Sequence, residues 1–502
     1  MQPADTIDDT NITASARADQ TRLEISPGLD VARRSKLGQF MTPAPIASRM
    51  AQMFGPMPRD VRLLDAGAGI GALTAAFVTE ALARNEVPRS ITVTCFEVDE
   101  AMAAHLARTL HDCAVACAQR DVAFQSEIVR DDYVLASAEP LLARAWSFNR
   151  AILNPPYAKI NTTSPWRLAL RSAGIETVNL YSAFVALAVN QLDHGGELVA
   201  ITPRSFCNGP YYEPFRRHLL ANTALLKLLV FESRKKAFAD DDVLQENVIF
   251  HVRRDDAQPI AVRLETDLGC TRDVPIAEVV RPGDPNAFIR LAISNDDAAL
   301  AEKVQALPCT LAELGIKVST GRVVDFRAKE QLRKDAGEGT APLIYPGHMK
   351  DGGVVWPIAD FKKHNAILID DHTRSQLVPS GRYVLTKRFS AKEERRRIVA
   401  SVYEATEPAG IENHLNYFHE AGAGLPADLA IGLAAFLNST AVDDYFRLFS
   451  GHTQVNATDL RNLHYPTRVE LEQLGRVTLG DWTALDDAVG RILARGVVGT
   501  DE

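Results

Sequence analysis

Ala151-Ile152-Leu153-Asn154-Pro155-Pro156-Tyr157 is an apolar run that stops abruptly at a stiff polar loop. The run reads as a buried parallel strand. Two consecutive prolines donate no backbone hydrogen bond and hold φ near its helical value, so the strand ends there. An amide side chain, a rigid carbonyl and an aromatic ring are thereby presented together at the carboxyl end of a strand. In open α/β sheets that edge is where ligands bind.

Upstream, Val61-Arg62-Leu63-Leu64-Asp65-Ala66-Gly67-Ala68-Gly69-Ile70-Gly71-Ala72-Leu73 reads as strand, glycine-rich turn and helix, the helix running to about Arg84. Gly67, Gly69 and Gly71 let the backbone approach a ligand, although their spacing departs from the dinucleotide fingerprint. Asp65 at the strand end suits a cationic or hydroxyl-rich cofactor. A second strand, Ile91 to Phe96, ends at Glu97, an acid placed to accept ribose hydroxyls. A third, Ala123 to Val129, ends in Arg130-Asp131-Asp132-Tyr133. Successive strands thus end in Asp65, Glu97 and Asp131-Asp132 before the Asn154 loop, which predicts an α/β unit with its chemistry on one edge. Ahead of them, Thr42-Pro43 suits a helix start, and Ile46, Met50, Met53 and Phe54 follow at helical spacing.

The alternation continues through a helix from Tyr181 to Gln191 and strands at Glu197–Thr202, Leu225–Phe231 and Val248–Val252. Residues 256–300 show no repeated βα pattern and read as a connector, and residues 1–30 as a flexible arm. Beyond about residue 300, short β-type runs alternate with turns, and helices resume from Ala427 to Phe449. Between Arg382 and Arg397 stand seven basic residues, among them Lys387, Arg388, Arg395, Arg396 and Arg397, interleaved with Tyr383 and Phe389. Such a surface suits phosphate contacts.

Composition sets bounds rather than answers. A chain of 502 residues holds two or three domains. With 46% hydrophobic and 24% charged residues it has an ordinary globular composition, and a net charge of −9 excludes a polybasic protein without excluding a local nucleic-acid surface. Cys113 and Cys117 stand four apart without a second ligand pair, so no metal is expected. No apolar run of membrane-spanning length and no signal-peptide core is present, which predicts a cytoplasmic protein with no membrane partner.

On these residues the chain resembles the γ-type N6-adenine DNA methyltransferases of restriction–modification systems. Thr42-Pro43 with Ile46 and Met50 resembles their N-terminal cofactor motif. Asp65 to Gly71 resembles their S-adenosylmethionine (SAM) loop, Glu97 their ribose-binding acid, and Asp132-Tyr133 their adenine-contacting pair. Asn154-Pro155-Pro156-Tyr157 matches their catalytic motif, with Asn154 counted among the cofactor contacts as well. Within the group, Asp242 to Ile249 and Gly451 to Leu460 look most like the PstI/BsuBI-type enzymes.

The resemblance implies a Rossmann-like class I SAM-dependent methyltransferase domain over residues 31–255. It implies a mixed α+β target-recognition domain over 301–465 and a helical tail over 466–502. It further implies SAM as cofactor, double-stranded DNA as substrate, a six-base palindrome such as CTGCAG as target, and a separately encoded cognate restriction endonuclease. Tyr157 and Phe238 would stack on the two faces of the target base. Asn-Pro-Pro-Tyr loops also serve methylases of RNA and of protein glutamine amides, but those usually lack an extension like the last 200 residues here. Glu246-Asn247-Val248 and Pro308-Cys309 resemble elements of cytosine-C5 methyltransferases in reversed order, and Asn154 stands where a nucleophilic cysteine would be required.

Overall fold

The computed structural model describes residues 13–26, 41–139, 146–231, 246–390, 394–449, 454–476 and 482–496. Contacts divide the chain into two compact units, Met1–Ile293 and Ser294–Glu502.

The first unit is built on one nine-stranded sheet. Its strands are β1 (Asp60–Ala66), β2 (Ser90–Phe96), β3 (Ala123–Val129), β4 (Phe148–Leu153), β5 (Leu192–Pro203), β6 (Thr223–Val230), β7 (Asn247–Arg254), β8 (Ala261–Thr266) and β9 (Thr271–Pro275). Their order is β3-β2-β1-β4-β5-β7-β6-β8-β9. Strands β1 to β5 are parallel, and β7 runs antiparallel between β5 and β6. This is the expected class I arrangement. Parallel strands buried on both faces read as apolar runs, as Ala151–Leu153 of β4 and Leu198–Ile201 of β5 do.

Alternate residues of each strand feed opposite cores. Leu63, Ile152, Val199 and Ile201 join the helices α1 (Ala14–Ile25), α2 (Ala44–Gln52), α3 (Ala72–Ala83) and α4 (Glu100–Ala118) on one face. Leu64, Leu153, Leu198 and Ala200 join α5 (Tyr133–Ala138), α6 (Pro165–Ser172), α7 (Leu180–Gln191) and α8 (Glu213–Asn222) on the other. At about 25 cal/mol per Å² of apolar surface, these two layers are the main force holding the strand ends in register.

Two segments differ from the sequence expectation. Within the arm expected over residues 1–30, Thr13 caps a helix whose Ala14 and Ala18 are buried in the α2–α4 core. Arg17 pairs with Asp112 of α4 at 3.2 Å. The mean polarity of that helix hides its narrow alanine stripe. Within the expected connector, β8 pairs in parallel with β6, and β9 closes the edge. Exposed and buried residues alternate along β8, and β9 at the edge buries only Val274, so both carry too few apolar residues to stand out in sequence.

The second unit holds a four-stranded sheet that includes Gly381–Lys387, Ala400–Ala405 and Leu415–His419, a five-stranded sheet, and a helical layer. The helices expected from Ala427 to Phe449 are two, Ala427–Leu437 and Thr440–Phe449, separated at Asn438 and Ser439. The C-terminal helices, expected as a tail, contribute Leu471, Leu474, Leu485 and Val489 to the unit's core. Close packing there depends on Gly432, where a Cβ would fall 1.6 Å from the Leu471 carbonyl oxygen.

Candidate active site

The strand order reverses between β1 and β4, a switch point at whose carboxyl edge open α/β sheets place their ligand crevice. Gly67–Gly71 follows β1 and Asn154–Tyr157 follows β4, so both loops stand at that edge.

The glycine loop is fixed mainly by its own neighbourhood. Gly67 and Ala68 donate to the Phe96 carbonyl at 3.0 and 2.9 Å. Glu97 accepts the Gly69 N–H through Oε2 and the Asp99 N–H through Oε1, both at 2.8 Å. Burial raises the Glu97 carboxyl, and the backbone donors offset only part of that rise. Gly71 enters α3 at φ +85°, and a Cβ there would lie 2.8 Å from Leu106, so only glycine fits. At Gly69, also at positive φ, a Cβ would meet nothing within 4 Å, so this part of the loop faces open space.

Asp65 departs from its expected place as a direct cofactor contact. Its side chain is 0% exposed beneath the loop, where Oδ2 accepts the Thr74 hydroxyl at 2.7 Å. Its Oδ1 has no hydrogen-bond partner among the described residues, and burial pushes the carboxyl up to about 7. Tyr133 departs likewise. Asp132 caps α5 by accepting the Leu135 N–H, which turns the next side chain inward. The Tyr133 ring packs between Phe96 and Phe184, and its hydroxyl donates to Gln191. Asp132 instead accepts the indole N–H of Trp166 at 2.9 Å. Neither Trp166 nor Phe184, which lies 3.5 Å from the Cβ position of Gly67, carried any sequence signal.

The Asn154–Tyr157 loop is held by distant side chains. The Asn154 Nδ2 donates to Thr42 Oγ1 at 2.9 Å. The Tyr157 hydroxyl lies 3.2 Å from Asn154 Oδ1 and 3.4 Å from the Ile201 carbonyl. Burial raises the Tyr157 phenol far above its ordinary range, so it stays a neutral donor. Tyr181 meets Tyr157 edge-on at 6.1 Å and stacks on Tyr212 at 5.5 Å, backing the loop with rings. Phe238, expected across the base from Tyr157, lies outside the described residues. A separate cleft of about 510 Å³ is lined by Pro45, Ile46, Arg49, Phe231 and Leu268 among others, and by no residue of either loop.

In the second unit, Arg395 is exposed and Lys387, Arg388 and Arg396 are half-buried. Arg397 is 1% exposed with its guanidinium over the Phe446 ring, so it is a core residue and not part of a cationic surface. Among the described residues no helix is long and apolar enough to cross a membrane.

The family model described as Eco57I restriction-modification methylase matches residues 116–238. The type II methyltransferase M.PstI of Providencia stuartii is 45% identical over 498 residues, covering 96% of this chain and 98% of its own. M.BsuBI of Bacillus subtilis, also a type II methyltransferase, is 45% identical over 475 residues, covering 91% of this chain and 93% of its own. Among solved structures, the ATP-dependent Type ISP restriction-modification enzyme LlaBIII bound to DNA superposes with a TM-score of 0.54 at 11% identity, over 93% of this chain and 41% of its own. That likeness concerns the fold alone. A sheet with the Gly67–Gly71 and Asn154–Tyr157 loops at its switch point, and 45% identity across nearly the whole of both chains, make this protein a member of the type II methyltransferases of restriction–modification systems.

Proposed function

We propose that the protein methylates N6 of an adenine flipped out of a specific duplex DNA sequence, so that a restriction endonuclease sharing that sequence no longer cuts it. The observation that carries this reading is the Asn154 amide, set beside the Pro155 carbonyl at the end of β4 and next to the glycine loop of β1. Adenine N6 is a poor nucleophile because its lone pair is delocalised into the ring. The Asn154 side-chain carbonyl and the Pro155 backbone carbonyl can each accept one N6–H, which favours a pyramidal nitrogen with its lone pair directed away from both. Positioning and charge placement of this kind need no covalent intermediate. Asn154 stands where C5 chemistry would require a thiolate, which favours an exocyclic amine as acceptor.

The glycine loop fits SAM as the cofactor: it offers open space at Gly69, backed by Glu97, with an Asp65 oxygen that is unpartnered among the described residues buried beneath. When bound, SAM supplies a methyl group already activated on a sulfonium. Gly67, Gly69, Gly71, Glu97 and Asp132 would hold it, with Asp65 acting from beneath through Thr74.

Because N6 is inaccessible inside a duplex, the base must leave the stack, and Tyr157 with Phe238 would receive it. Base–aromatic stacking contributes on the order of 1–3 kcal/mol per base. Lys387, Arg388, Arg395 and Arg396 would meet phosphates. CTGCAG, the hexamer implied by the resemblance to the PstI/BsuBI-type enzymes, is the proposed target. Methyl transfer to duplexes that differ only at that hexamer tests the target: expected is labelling of the CTGCAG duplex alone, and equal labelling of a scrambled duplex would refute it.

A further inference from the structure

The reading of Asn154 as the group that accepts N6–H leaves open what holds its amide. A side-chain amide is an acceptor at one end and a donor at the other, so it works only if its plane and its carbonyl end are fixed. We infer that Thr42 is the positioning residue for the Asn154 amide, so that the N-terminal segment acts on the methyl-transfer step itself and not only on cofactor binding.

Three observations carry this. Thr42 Oγ1 lies 2.9 Å from Asn154 Nδ2, bridging residues far apart in sequence. Thr42 is 5% exposed, so water does not readily replace its hydroxyl if it is removed. Thr42 is itself braced: Pro43 opens α2, and the Ala44 N–H is accepted at 3.1 Å by Asp19 of α1, whose same oxygen takes the Arg22 guanidinium at 2.7 Å. The Tyr157 hydroxyl at the other end of the amide then favours the orientation in which the carbonyl faces away from Thr42. With one N–H bound to Thr42, the amide is polarised, and its oxygen becomes a better acceptor for the target amine.

The inference rests on the reading of Asn154 above, and the two fail differently. The full chain is compared with Thr42→Val, Thr42→Ser and Asn154→Ala, measuring kcat at saturating SAM on unmethylated genomic DNA and SAM affinity by calorimetry. Thr42→Val keeps the shape and removes the hydroxyl. It is expected to lower kcat about 10-fold with SAM affinity changed less than about twofold, the loss of one buried hydrogen bond. Thr42→Ser is expected to restore most of the rate, which a purely steric role would not do. If Thr42→Val weakens SAM binding tenfold and leaves kcat intact, Thr42 is a cofactor contact and the inference is overturned. If it changes neither while Asn154→Ala abolishes turnover, the inference fails and the reading stands. If Asn154→Ala turns over at full rate, the reading fails.

Discussion

The two loops at the switch point are held in opposite ways. Gly67–Gly71 is shaped by its own glycines, by the neighbouring strand end at Phe96 and Glu97, and by Thr74 of the helix it opens. Asn154–Tyr157 owes its stiffness to two prolines but its functional atom to Thr42, more than a hundred residues upstream, and to the β5 backbone at Ile201. On the proposed reading, cofactor binding is a local property of the chain, whereas orientation of the Asn154 amide is a tertiary one. Substitutions in the first loop should act on cofactor affinity and stability together. Substitutions around the second should act on turnover.

The largest expected effect is at Asn154. Asn154→Ala should lower kcat by roughly 10²–10³-fold, the size seen when one preorganised polar partner is removed from a transition state, with SAM affinity retained. A matching loss of SAM affinity in calorimetry would erase the distinction between the loops. Next is Gly71→Ala, which places a Cβ 2.8 Å from Leu106 at a positive φ. A cost of roughly 2–3 kcal/mol is expected from left-handed strain plus crowding, read as a lower melting temperature and weaker SAM binding. An unchanged melting temperature would mean that α4 yields easily.

A smaller, pH-dependent effect belongs to Asp65. Its carboxyl is raised to about 7 by burial, from an ordinary value of 3.8. Between about pH 4 and 7 the folded protein keeps a proton that the unfolded chain has lost. Its contribution to stability is thus complete below the unfolded value and is lost as pH rises through 7, on the order of 1 kcal/mol per pH unit. The stability of the native protein relative to Asp65→Asn should fall from pH 5 to pH 8 in denaturant titrations. A constant difference would show that Asp65 stays ionised. Smallest is the phosphate surface. Arg395→Ala should reduce the salt slope of DNA affinity by about one without altering stability, whereas Arg397→Ala should lower stability and leave the slope unchanged.

Local encoding is also what was legible. Strands β1, β2 and β4, the glycine turn, the acids at strand ends and the Asn-Pro-Pro-Tyr loop can be read from residue type and spacing, because proline, glycine and apolar runs act within a few residues. Asp65 and Tyr133 were legible as positions but not as contacts. Whether a strand-end carboxylate faces out or lies under a loop depends on Thr74 and Cys95, and the Asp132 cap sends Tyr133 inward. Arg397 shows the same limit, since no composition rule says which of three adjacent arginines turns toward Phe446. The β6–β8 pairing and the α1 brace are long-range, so their segments read as connector and arm.

In the proposed function, Asn154 directs methylation to adenine N6 in a defined DNA sequence. Single-molecule sequencing of DNA from cells expressing the native protein or Asn154→Ala tests it most directly. Expected is N6-methyladenine at every copy of one palindromic site with the native protein, and unmodified adenine there with the variant. A modified cytosine, or adenine methylation that persists in Asn154→Ala, would contradict it.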